Sequence, residues 1–172
     1  MLRKFFLRDA ALILVTVGAW TLLARHSAGS GPVADAAGFL AGGLVGLCGF
    51  ALHEWGHLLA GRASGGNFPL ARNPRAIFWF GIDPANTIRQ FTVMSLGGFA
   101  VTAATLLFAY LVLPGDLLAT RVARGAALFG ALLTLVLEMP LLLVGLATGR
   151  IPAVASVAKS AAASPAAPQG AA

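Results

Sequence analysis

Residues Ala36–Gly61 read AAGFLAGGLVGLCGFALHEWGHLLAG. The run is small or apolar except for one cluster, His53-Glu54-Trp55-Gly56-His57. At about 1.5 Å per residue, a helix over this stretch crosses a bilayer core of roughly 30 Å. On a helix, positions i and i+4 share a face, so both imidazoles can reach one ion. The chain has three histidines and two glutamates, and three of those five residues fall in this window. Ionisable groups at that depth are costly and mark a functional site by default.

The rest of the composition agrees with a membrane setting. Of 172 residues, 58% are hydrophobic and 10% charged, against about 25% charged in soluble domains. Mean hydropathy is +0.85. The net charge of +6 is spread between apolar blocks, which suits topology determinants and not a nucleic-acid surface. The length allows one domain, residues 1–150, followed by a tail. The expected fold is all-α and polytopic, with about four transmembrane helices. The first apolar block runs from Ala10 to Ala24, with Phe5, Phe6 and Leu7 extending it past Arg8 and Asp9. The second is Ala36–Gly61, the third Phe91–Leu113, and the fourth Gly125–Gly149. The first block also has the basic start of a signal peptide, but Ala24-Arg25-His26 is a poor cleavage site and a retained anchor is favoured.

Basic residues orient the spans. Arg3, Lys4 and Arg8 precede the first, Arg62, Arg72, Arg75 and Arg89 lie between the second and third, and Arg150 and Lys159 follow the fourth. The other side carries Arg25, Arg121 and Arg124. The positive-inside rule puts both termini and the Arg62–Gln90 loop in the cytoplasm, consistent with a multi-pass protein of the cell membrane. That loop contains an extended-looking run, Ala76-Ile77-Phe78-Trp79-Phe80-Gly81-Ile82. It reads either as an interfacial aromatic anchor or as a short extended or hairpin segment that pairs with an unwound substrate. From Ile151 the chain is mostly Ala, Pro and Ser, and residues 151–172 are expected to form a disordered tail.

A third polar group lies in the fourth span, Glu138. His53 precedes Arg62 by nine residues, about 13 Å of helix, and Glu138 precedes Arg150 by twelve, about 18 Å. The two depths differ by about one turn. His53, His57 and Glu138 can therefore supply the three protein ligands of a catalytic Zn²⁺, with Glu54 free as general base. Glu138 could instead be a protonated or hydrogen-bonded structural acid. Pro140 should disturb the helix beside it. Gly97 and Gly98 lie at matching depth in the third span, as helix-packing positions or at the substrate site. Thr102, one turn on, could meet substrate or a ligand, or bond its own backbone. Cys48 reads as a small core residue, and His26 as solvated surface.

Ala51-Leu52-His53-Glu54-Trp55-Gly56-His57-Leu58-Leu59-Ala60-Gly61 resembles the HExGH motif of the site-2 protease family of intramembrane zinc metalloproteases. The resemblance covers about Gly38 to Gly149. It implies a three-helix core, with the motif helix first, a second helix bearing a Gly-Pro-x-x-Asn-like element, and a third bearing an aspartate ligand. Here Leu96-Gly97-Gly98-Phe99-Ala100-Val101-Thr102 stands at the second element, with Phe99 for proline and Thr102 for asparagine. Leu137-Glu138-Met139-Pro140 stands at the third, with glutamate for aspartate. The expected activity is zinc-dependent hydrolysis of peptide bonds in or near transmembrane segments of other proteins. Alternatives are a catalytically degenerate zinc-binding homologue and a small ion-binding or transport protein.

Overall fold

The motif helix is the axis of the molecule. α2 (Pro32–Ala63) starts with proline in its first turn, where the missing N–H leaves no hydrogen bond unmade, and Asp35 adds negative charge at the positive end of the dipole. It ends by reversing the chain. The Gly66 N–H donates to the Gly61 carbonyl at 3.1 Å and the Gly65 N–H to that of Arg62 at 2.9 Å. This is the Schellman pattern, and it needs the left-handed Gly65, φ 79°.

The computed structural model describes residues 2–71, 73 and 80–153. It is all-helical, with four helical segments long and apolar enough to cross a membrane: Leu2–Ala28, Pro32–Ala63, Ile88–Leu111 and Leu118–Thr148. α1 (Leu2–Leu23) continues into a 3₁₀ turn, Ala24–Ala28. α3 (Ile88–Leu111) opens with a capping box between Thr87 and Gln90. The fourth segment begins at Leu118, earlier than composition suggested. It is α4 (Leu118–Leu133), a π-helical turn (Thr134–Glu138) and α5 (Met139–Thr148). The first turns of α4 carry Arg121 and Arg124 among small residues, so that start is less apolar than the rest of the segment.

α2 packs against α1, α3 and α4. Small residues permit the close approach. A Cβ at Gly46 would lie 2.5 Å from the Ala126 Cβ, and one at Gly56 would lie 2.6 Å from the Gly97 carbonyl oxygen. Between apolar helices in lipid, such contacts replace the hydrophobic drive that water would supply. Outward positions stay apolar and open, with Leu14 73% and Leu111 77% exposed. Arg124 turns inward from α4 and donates to the carbonyls of Ala109, Tyr110 and Leu113 at 3.0–3.3 Å, satisfying the orphan acceptors at the end of α3.

At the opposite end, Phe5, Leu58, Phe68, Phe80, Phe91, Met94 and Leu142 form the largest buried cluster. The connection between α2 and α3 folds onto it. Leu70 and Phe80 form one antiparallel bridge, and the Gly81 N–H donates to the Pro69 carbonyl at 2.7 Å. Among the described residues this pairing does not lengthen into a strand. Residues 76–79 of the aromatic run and residues 154–172 of the tail lie outside the described set.

Candidate metal centre

His53 and His57 are buried on one face of α2, turned toward α3 and the π turn. Their Nε2 atoms lie 2.9 Å apart, with the rings nearly perpendicular at 85°. Glu138 closes the group. Its Oε1 is 3.1 Å from His53 Nε2 and its Oε2 is 3.2 Å from His57 Nε2. The matching depths in sequence thus become contact in space.

The other ring nitrogens decide what this group can do. His57 Nδ1 is 2.9 Å from the Met94 carbonyl oxygen, and His53 Nδ1 is 3.0 Å from that of Gly98. A carbonyl only accepts, so each Nδ1 carries a proton, and in the neutral ring each Nε2 then presents a lone pair. Two lone pairs and a carboxylate then converge where both histidines are buried and Glu138 is about a third exposed. Acceptors crowded together in this way repel one another unless a metal ion or a proton joins them. The donor set of two imidazole nitrogens and a carboxylate suits a divalent metal ion. His53, His57 and Glu138 could therefore hold one, their ligand atoms all lying within 4.8 Å of one another.

α3 is the template for this arrangement. Its unbroken carbonyls are normally spent within the helix, yet those of Met94 and Gly98 also receive the histidines, one turn apart like the histidines themselves. Gly98 is bare for a reason, since a Cβ there would collide with the His57 imidazole. Thr102 Oγ1 sits 2.8 Å from His53 Nδ1, so the hydroxyl turns to the histidine. Thr102 also lines the adjoining cavity. Phe80 covers the other side of His57, with ring centroids 6.4 Å apart.

Glu138 owes its position to a register change. The Met139 N–H reaches back to the Thr134 carbonyl, five residues away. Pro140 has no N–H to give the Val136 carbonyl, so a regular α-turn cannot form through this point. π turns of this kind insert one residue and re-aim the side chains around them. Glu54 is buried, 3% exposed, and lines the same cavity as His53 and Glu138. That cavity, about 440 Å³, runs between α2 and α4 past Gly43, Gly46, Phe129 and Leu133.

One group was not legible as part of the site. Asp9 reads in sequence as an interruption near the start of the first span, but it is buried at 5% exposure. It accepts from Trp55 Nε1 at 2.8 Å and from Arg8 Nε at 2.7 Å. Trp55 follows Glu54 directly, so this bond ties α1 to the motif helix. An acid beside apolar residues, with a tryptophan in the motif, was the available signal. Asp83, the other acid near this end, bonds the Asn67 side chain at 2.6 Å and the Ala85 N–H at 2.9 Å. Among the described residues it is outside the metal-capable group. No protein-family model, curated protein or solved structure matches the chain.

Proposed function

We propose that this chain is an intramembrane zinc metalloendopeptidase similar to the site-2 protease family, acting on transmembrane segments of other proteins. The observation that carries the reading is the meeting of His53 Nε2, His57 Nε2 and both Glu138 oxygens at 2.9–3.2 Å, with each Nδ1 anchored to a carbonyl of α3. His53, His57 and Glu138 would be the zinc ligands. When bound, zinc would supply Lewis acidity toward a water molecule and the scissile carbonyl. Glu54, outside the ligand set, is the general base. Its carboxylate takes a proton from the attacking water and returns it to the leaving amide nitrogen. Burial of Glu54 beside the ligands keeps bulk water from competing for that proton.

The cavity between α2 and α4 supports a protein substrate. It is lined by apolar side chains and bare glycines, and it ends on His53, Glu54 and Glu138. An unwound segment entering from the lipid could lay its backbone along the glycines. Gly98 acts on the substrate through the histidines it accommodates, and Thr102 both holds His53 and lines the cavity. The balance of basic residues orients both termini and the connection between α2 and α3 to the cytoplasm.

The test is cleavage of a transmembrane substrate in proteoliposomes. Wild type should cleave, and Glu54→Gln should not, while its zinc content stays at the wild-type level. Loss of zinc together with activity would make Glu54 a ligand. Wild type that binds zinc and cleaves no helical substrate would favour the degenerate homologue.

A further inference from the structure

A second cavity, about 460 Å³, lies between α1, α2 and α3. Thr16, Trp20, Cys48, Leu52, Ala104 and Phe108 are among the residues that line it, and none of His53, Glu54, His57 or Glu138 does. Gly49 and Thr105 border both cavities and form the partition between them. A Cβ at Gly49 would lie 2.8 Å from Thr105 Cγ2.

The lining selects its ligand by chemistry. Its three threonines turn their hydroxyls onto their own helices. Thr16 donates to the Leu12 carbonyl at 2.8 Å, Thr21 to that of Gly18 at 2.9 Å and Thr105 to that of Val101 at 2.9 Å. Cys48 Sγ lies 3.0 Å from Thr16 Oγ1. Little donor capacity is left for a polar guest, and an apolar cavity of this kind does not hold water. Its rim is continuous with the lipid-facing surface, since Val17, Leu52 and Phe108 are all exposed. A flexible hydrocarbon chain is the guest that matches the apolar lining, and a bilayer supplies it at the rim.

We propose that this cavity is a lipid site that takes one acyl chain of a bilayer phospholipid. It is independent of the zinc reading, because it uses none of the proposed ligands. The test reconstitutes the full chain in vesicles containing phosphatidylcholine with a diazirine on one acyl chain. Adducts formed on illumination are mapped by mass spectrometry. Labelling governed by surface exposure would favour Leu14 over Cys48, which is 9% exposed. An inserted chain reverses that order, with Cys48 and Thr16 labelled more than Leu14. Ala104→Trp fills the cavity and should remove the Cys48 and Thr16 adducts while sparing those on Leu14. Ile13→Trp enters from α1 and serves the same purpose should the first variant not fold. Labelling that follows exposure, or Cys48 adducts that persist in a folded filled variant, would overturn the proposal.

Discussion

Each histidine of the motif is held by a bond that leaves its Nε2 free for an ion, and the holders are backbone carbonyls of α3. Side chains that orient metal ligands are commonly worth 10–100-fold in affinity. Thr102→Val removes the hydroxyl beside His53 Nδ1 while keeping the shape of the side chain. Metal affinity, read by chelator competition, should fall by about 10-fold, with the fold intact. Gly98→Ala places a methyl group against the His57 ring and should cost more, about 100-fold at the upper end of that range. Equal affinities in Gly98→Ala and wild type would mean that the His57 ring can shift without loss. The histidine pair was legible because two imidazoles four residues apart are costly in an apolar run unless an ion or a polar partner compensates them. The carbonyls of Met94 and Gly98 were not, because every residue carries one and only the register of α3 selects these two.

At the scale of elements, two local devices position the site. The π turn before Pro140 swings Glu138 toward α2. Counting residues from Arg150 gave its depth, but the direction of the side chain depends on how the helix absorbs the missing N–H. Pro140→Ala restores that donor and allows a regular helix, in which residues move by about 100° around the axis per position. Metal affinity should fall while the far-ultraviolet circular dichroism stays unchanged. Unaltered affinity would show that the π turn is held by packing and not by the proline. The second device is the Asp9–Trp55 bond. A carboxylate in an apolar block has a sequence signature, but its partner on another helix does not. Asp9→Ala removes the carboxylate that accepts from the Trp55 indole N–H and should lower stability by about 1–3 kcal/mol. The melting temperature in detergent reports this, and metal stoichiometry at low temperature should not change.

For the whole molecule, hydropathy made the four spans legible, because a bilayer demands length and apolar surface in each segment. Among the described residues the extended pairing between α2 and α3 is a single bridge at Leu70 and Phe80. Phe80 also belongs to the aromatic cluster beneath His57. The sidedness of the membrane rests on charge counting. In a Cys48→Ala background, a cysteine introduced at Asn73 should react with an impermeant maleimide from the cytoplasmic face only. Reaction from the outer face would invert the orientation and move the metal centre to the other leaflet. The proposed chemistry depends above all on α2 and the turn before α5 together holding one zinc ion. Metal analysis of the purified protein addresses this, with Glu138→Ala and Asp83→Ala compared against wild type. Wild type and Asp83→Ala should each carry about one zinc per chain, as expected of three protein ligands with a fourth position open, and Glu138→Ala should lose it sharply. Wild type purified without metal that also fails to take up added zinc, or Glu138→Ala that retains it while Asp83→Ala loses it, would refute the proposed centre.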